Sequence, residues 1–456
     1  MQKVKDNNTK NMTTGNSMSQ IVLFFLPLLW GNLFQQVYSL VDSIIVGKGI
    51  SDKALAAVGA SGTLNFLILG FVVGMTRGFG ILFSQSFGKE DYGLLRAYIR
   101  GAKRLCITIS LILTVVCIIS LKKIFVFMQT PSDIIKDAYI YFVIILAGIV
   151  ITVMNNLTIT ILQSLGDSKT PLSAMIISSL ANIAMDIFFV MGLKIGVAGA
   201  AIATVLAQVF SFIYCFYKIR KLDIFNKKDR HDLGDYTDAN IGLDLVKIGI
   251  PVAFMNSITA AGGLILQYFV NLMGSGYVAA YSACMKFASL FEQFGMSVGL
   301  SMMTFVGQNM GAGKFDRIRR GVRQGLLLST IINIPLALLQ ILFPEQLARI
   351  FLSDPVIISY CKEFLPVLGI SIFALGWLFV YRYSVQGLGN TFVPMLSGAL
   401  EVIMRLSVCF IIGRYSFRGI ALSEVSAWIG AFVMLMITYY VVIGIKARSS
   451  QEKNYN

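Results

Sequence analysis

The chain has 456 residues, of which 56% are hydrophobic and only 13% charged, and its formal net charge is +15. A soluble domain carries about 25% charged residues, so a chain this long with half that share lacks the polar surface to face water. Its apolar stretches are long and unbroken, which excludes a membrane β-barrel and reads as an all-α membrane protein.

Residues 1–18 form a polar, cytoplasmic N-terminal tail, and the first apolar run is too long for a signal peptide. Twelve transmembrane helices are predicted, at 19–46, 55–84, 95–120, 134–163, 171–191, 197–219, 245–272, 276–307, 321–343, 355–386, 394–412 and 418–444. Helix 1 carries Pro27, a bend point, and then Gln35, Tyr38 and, toward its outer end, Asp42. Arg77 on helix 2 lies close enough to the cytoplasmic end to snorkel, and Asn155 and Asn156 interrupt helix 4, where they line a cavity or bridge helices. Pro171 starts helix 5, whose Asn182 and Asp186 sit one turn apart on one face, and helix 6 contributes Thr204. A charged stretch, 220–244, links this N-lobe (19–219) to a C-lobe (245–445), and 446–456 is a cytoplasmic C-terminal tail.

In the C-lobe, helix 7 has a second bend point at Pro251. Helix 8 has Lys286 and Glu292 in an aromatic setting, where an acid among rings attracts a lipophilic cation. Arg382 on helix 10 is a second snorkelling candidate. Pro394 starts helix 11, which bears Glu401 and Arg405 at i,i+4, and Glu424 lies on helix 12. The six cysteines form no CxxC pair and read as small apolar fillers.

The two lobes repeat one another. Gln163-Ser-Leu-Gly166 through Pro171 reappears as Gln386-Gly-Leu-Gly389 through Pro394, an offset of 223 that also pairs Gln85 with Gln308, Gly88 with Gly311, and Arg96 with Arg319. Six spans per half make the repeats parallel, and two similar bundles about a membrane-normal axis are what alternating access by rocking requires. With both termini cytoplasmic, 24 of the 38 Lys and Arg residues fall inside, 10 outside and 4 in helices, so the basic excess obeys the positive-inside rule and needs no nucleic acid.

The offset sets Asn182 opposite Arg405 and, through Gly199 and Gly419, Thr204 opposite Glu424. Arg405 and Glu424 are therefore neighbours on helices 11 and 12, and with Glu401 they make a structural ion cluster. Asp42 and Asp186 have no such counter-charge. With Asn182 and a hydroxyl they form an oxygen-rich site for a proton or Na⁺, and unpaired intramembrane acids default to ion pathways.

Other classes fail on the residues. No GxxxxGK[ST] occurs, the only histidine is His231 in the linker, and Val41-Asp42 and Met185-Asp186 match neither signature of an intramembrane aspartyl protease. No filter-like loop suggests a channel. The chain is read as a transporter, not an enzyme.

The motifs resemble the MATE family of multidrug and toxic compound extrusion transporters. The likeness rests on Leu26-Pro-Leu-Leu-Trp-Gly-Asn through Asp42-Ser-Ile-Ile-Val-Gly47, on Leu55-Ala-Ala-Val-Gly59, on Gln85-Ser-Phe-Gly88 and Gln308-Asn-Met-Gly311, and on the two QxLG segments. It covers nearly the whole chain and is nearest a bacterial MepA-like or DinF-like branch. The resemblance implies two six-helix lobes and a secondary antiporter that exports organic cations against H⁺ or Na⁺. It carries an ion-coupling site onto Asp42, Asn182, Asp186 and Thr204. Gln35 and Tyr38 match the family's residues ahead of the helix 1 acid, and with Asn156 and Glu292 they are the substrate-binding candidates. Helix 7 lacks an acid between Lys247 and Met273, which speaks against the second-lobe site of the NorM-type branch. The expected partners are small cationic or amphiphilic molecules and the lipid bilayer. No cofactor beyond the coupling ion is expected, and the chain is expected to be a monomer in the cytoplasmic membrane. The alternative is a flippase of a lipid-linked precursor.

Overall fold

The computed structural model of the chain describes residues 10–127, 130–131, 133–226 and 238–455. Among them are helices and short connections and no strand, as lipid demands of a span that must satisfy its own backbone. The helices are α1 (Ser17–Gly49), α2 (Asp52–Gly88), α3 (Tyr92–Phe127), α4 (Ile135–Ala147), α5 (Ile149–Ser164), α6 (Lys169–Asp186), α7 (Val197–Arg220) and the short α8 (Asp223–Asn226). They continue with α9 (Asp238–Met273), α10 (Ser275–Gly311), α11 (Phe315–Leu342), the short α12 (Pro344–Arg349), α13 (Pro355–Gly387), α14 (Phe392–Val408) and α15 (Phe417–Tyr455). Ten of these segments are long and apolar enough to cross a membrane, or eleven when the bent pair α4 and α5 is taken as one span. The twelfth predicted span, α10, has the length but not the apolarity, since it carries Lys286 and Glu292 along with several Gly, Ser and Gln residues. His231 lies outside the described residues.

Predicted helix 4 is two helices, meeting at 50°. The break falls at Gly148, not at Asn155 and Asn156. A Cβ on Gly148 would stand 2.5 Å from Val205 Cγ2, so the glycine admits α7 where the helix turns. Asn155 lies within α5 and accepts from Ser211 Oγ at 2.8 Å. Pro27, Pro251, Pro335 and Pro366 sit inside helices, whereas Pro171 and Pro394 occupy first turns, as the sequence suggested.

The chain divides into two compact units, one of residues 1–11 and 30–249, the other of residues 12–29 and 250–456. This differs from the sequence reading at both edges. The first part of α1 groups with the second unit, and residues 238–249 group with the first, where Tyr98 Oη donates to Asp244 Oδ2 at 2.8 Å. Part of the predicted N-terminal tail is bound. Met12 and Thr13 are buried in the second unit, Met12 N donates to Gln308 Oε1 at 2.8 Å, and Asn309 Nδ2 donates to Met12 O at 3.1 Å. Lys314 Nζ reaches Thr13 O at 2.8 Å, and Arg317 donates to Met12 O, Thr14 O, Gly15 O and Gln20 Oε1. Arg317→Gln is expected to free this strap, read as faster proteolytic cleavage within residues 10–20.

The duplication is visible in backbone detail. Gly166 (φ +81°) and Gly389 (φ +86°), 223 residues apart, both take the left-handed conformation that follows a helix end. One residue on, Asp167 Oδ1 accepts from Lys169 N and Thr170 N at 3.0 and 2.9 Å, and its counterpart Asn390 accepts from Val393 N at 3.2 Å. Each side chain caps the helix that its lobe's proline starts. Burial holds the Asp167 carboxyl above its ordinary range. Asp167→Ala is expected to cost about 0.5–2 kcal/mol of stability and Asp167→Asn far less, measured by thermal unfolding.

Both α6 and α14 end in a π-helical turn, at Ile187–Gly192 and Cys409–Gly413. The next helix packs on each turn through a glycine. A Cβ on Gly199 would lie 3.0 Å from Phe189 Cβ, and one on Gly419 would lie 2.7 Å from Ile412 O. The second unit's core gathers Phe269, Tyr281, Phe364 and Phe417 around Cys284, Cys361 and Cys409. At its edge Glu345 pairs with Lys362 at 2.7 Å and Arg349 at 2.8 Å, and these bonds hold its carboxyl down at about 2. Because that value is depressed, the trio stays ionised above it and is lost only as pH falls through about 2.

Candidate functional site

In the first unit α1, α6 and α7 bring Asp42, Asn182, Asp186 and Thr204 together with Tyr38. Tyr38 and Asp42 are one turn apart on α1, as Asn182 and Asp186 are on α6, so each helix presents a polar pair on one face. The Asp42 and Asp186 carboxyl groups face one another within hydrogen-bonding reach. Neither Oδ1 has a donor among the described residues. Oriented by its bonding pattern, Asn182 Nδ2 donates to Asp186 Oδ2 at 2.7 Å, and its Oδ1 accepts from Thr204 N at 3.2 Å. The Tyr38 hydroxyl lies near the Thr204 side chain, and Thr204 Oγ1 donates to Ala200 O at 3.0 Å.

Asp186 and Asn182 are buried, whereas Asp42, Tyr38 and Thr204 are partly exposed, so the site is closed behind and open at one side. Asp186 is the last residue before the π-helical turn, a distortion frequent at functional sites. Two ionised carboxylates cannot share one site without a positive charge between them. The residues present fit a proton, shared by the pair, or a Na⁺ held by their oxygens with Asn182 and Thr204 beside it. Buried Tyr141 on α4 lies within electrostatic reach of Asp42, Tyr38 and Asp186. Nothing in the sequence singles out Tyr141, because an aromatic residue in an apolar run carries no mark of which helix it will face.

Two substrate candidates of the first unit do not join this group. Gln35 is exposed on α1, two turns before Asp42. Asn156 Nδ2 donates to Thr152 O of its own helix at 2.8 Å.

In the second unit α13, α14 and α15 build a buried row of alternating charge. Arg405 Nη2 lies 2.9 Å from Glu424 Oε2 and 3.5 Å from Glu401 Oε2, and Glu401 Oε1 pairs with Arg382 Nη2. Arg382 also donates to Ser397 Oγ at 3.4 Å. The snorkelling expected of Arg382 is corrected here: it is 4% exposed, because Glu401 neutralises it in place. Arg405 Nη1 points at α9, where a Cβ on Gly262 would stand 2.7 Å away. Gly262→Ala is therefore expected to displace the guanidinium and lower the thermal midpoint.

Glu292 on α10 lies within electrostatic range of all four side chains, is partly exposed, and makes no hydrogen bond or ion pair among the described residues. Cys409, the counterpart of Asp186 by the 223 offset, is buried in the apolar core and starts its own π-helical turn. The repeat thus keeps the backbone device in both units and the carboxylate in one.

The MatE family profile matches residues 27–188 and again residues 251–411. The probable multidrug resistance protein YoeA of Bacillus subtilis is 27% identical, over 92% of this chain and 91% of that protein. The probable multidrug resistance protein NorM of Thermotoga maritima is 26% identical, over 90% of this chain and 88% of its own length. A MATE family transporter in an outward-facing conformation superposes with a TM-score of 0.87 at 21% identity, covering 97% of this chain and 100% of that one. That likeness extends to the two-lobe, twelve-helix fold.

Proposed function

This chain belongs to the MatE family, and from that premise we propose that it is a secondary antiporter exporting small organic cations in exchange for H⁺ or Na⁺. The observation that carries the coupling is the facing pair Asp42 and Asp186, which must hold a proton or a monovalent cation when its side of the membrane supplies one. Asn182 fixes Asp186, and Thr204 with Tyr38 borders the opening. The cycle follows from charge. When the ion enters, the first unit loses its attraction for a bound cation and the cargo leaves; when the ion departs to the cytoplasm, that attraction returns. Glu292, an acid with no ion pair among the described residues, is the second unit's candidate for attracting a cation.

The Lys and Arg distribution supports a chain with both termini in the cytoplasm, and the multidrug resistance relatives favour drug-like cargo over the flippase reading. Binding of the fluorescent cation ethidium to the purified chain tests the coupling. Its affinity is expected to fall as pH is lowered or as Na⁺ is added, whichever ion couples. In Asp42→Asn/Asp186→Asn the dependence should vanish. An affinity insensitive to both ions in the parent chain removes the proposal's support.

A further inference from the structure

The second unit repeats the three-helix cleft that holds the ion-coupling candidates, with different side chains in it. At the offsets of the duplication Tyr38 stands opposite Gly262, Asn182 opposite Arg405 and Thr204 opposite Glu424, so α1, α6 and α7 correspond to α9, α14 and α15. The contacts correspond as well. In the first unit Asn182 Oδ1 accepts from Thr204 N at 3.2 Å, and in the second Arg405 Nε donates to Glu424 Oε2 at 3.0 Å. Where the first unit has the Tyr38 side chain the second has a glycine, and Arg405 Nη1 takes the space that a Cβ on Gly262 would need. Asp42 and Asp186 are replaced by Leu266 and Cys409, both fully buried in the apolar core.

The second unit thus keeps the cleft and moves its acids. Arg405 Nη2 lies 2.9 Å from Glu424 Oε2 and 3.5 Å from Glu401 Oε2, and all three side chains are at least nine-tenths buried. Arg382 balances Glu401, which leaves Arg405 as the counter-charge of Glu424. Buried carboxylates need a positive charge beside them. The first unit must take it from solution, and the second carries it on its own chain.

We propose that the second unit is a cation site closed by its own chain, with the Arg405 guanidinium as a tethered cation in the cleft whose counterpart in the first unit takes the mobile ion. The inference rests on the reading of Asp42 and Asp186 as the coupling pair. It adds that the second unit supplies no ion to the cycle, and that its cleft, once vacated, accepts a free planar monocation of the guanidinium class. The class follows from the atoms: Glu424 Oε2 takes two N–H donors from one planar group, at 3.0 and 2.9 Å, beside a notch left open by Gly262.

Two measurements on the full chain, purified in detergent, test this. Arg405→Ala leaves Glu424 unpaired next to the space of the missing side chain. Millimolar guanidinium, supplied as its sulfate from extraction onward, should raise the thermal midpoint of this variant saturably, by about 1–3 °C more than it raises that of the parent chain. Arg405→Ala/Glu424→Gln keeps the space without the charge and should lose the extra rise. No extra rise in Arg405→Ala, or an equal one in the double variant, overturns the proposal. Should Arg405→Ala not fold with or without guanidinium, ion counting decides, because it leaves the second unit untouched. The count is read as radioactive sodium bound in equilibrium dialysis, or as protons released when ethidium binds in weak buffer. The parent chain should show a single coupling ion and Asp42→Asn/Asp186→Asn none. An ion still counted in that double variant shows the second unit to be open and overturns this proposal alone. A parent chain that shows neither ion overturns the coupling reading and this inference with it.

Discussion

Arg405→Met is expected to destabilise the protein by about 3–5 kcal/mol, because it strips the counter-charge from two buried carboxylates at once. Glu424 loses its ion-pair partner, and Glu401 is left with Arg382 alone. The penalty comes from the orphaned Glu424, not from the intrinsic strength of the pair. A buried ion pair is worth little net, but one half of it is costly to leave behind. The double variant Arg405→Met/Glu424→Gln should therefore recover most of the lost thermal midpoint, since it removes both halves. Thermal unfolding of the purified chain checks both statements. An unchanged midpoint in Arg405→Met, or a double variant worse than the single one, contradicts the account of this row.

Asp186→Asn is expected to lower ion-driven export by about 5–150-fold, the range of a coupling free energy between two ligands of 1–3 kcal/mol. The replacement keeps the shape of the side chain and its bond to Asn182, so the fold should survive. It removes the second carboxylate, leaving Asp42 with no charged partner across the site. Binding of the organic cation should lose its dependence on the coupling ion while binding itself persists. That split between coupling and binding is what a merely structural role for Asp186 does not produce. Export and its ion dependence unaltered in the variant would show that the pair does not couple.

The sequence made the first-unit site legible because hydrocarbon makes charge conspicuous. Asp42 and Asp186 stand out as acids without nearby bases, and helical spacing puts Tyr38 and Asn182 one turn away on the same faces. Pairing across helices was legible only through the repeat, which sets Arg405 beside Glu424. Arg382 was misread because its place near a helix end suggested water, and the acid that neutralises it lies 19 residues further on, in another helix. The bend at Gly148 had no signal beyond a glycine in an apolar run, since its cause, the approach of Val205, is tertiary. The bound strap at Met12–Gly15 was hidden for the opposite reason. A short polar segment reads as a loose tail unless the groups that hold it, here Gln308, Asn309, Lys314 and Arg317, are known to face it.

The most direct test of antiport is export from sealed vesicles that contain only this chain and lipid. Ethidium loaded inside, with an inward H⁺ or Na⁺ gradient imposed and no nucleotide present, should leave against its own gradient, and an ionophore that collapses the driving gradient should stop it. Equal ethidium loss with and without either gradient would contradict the account.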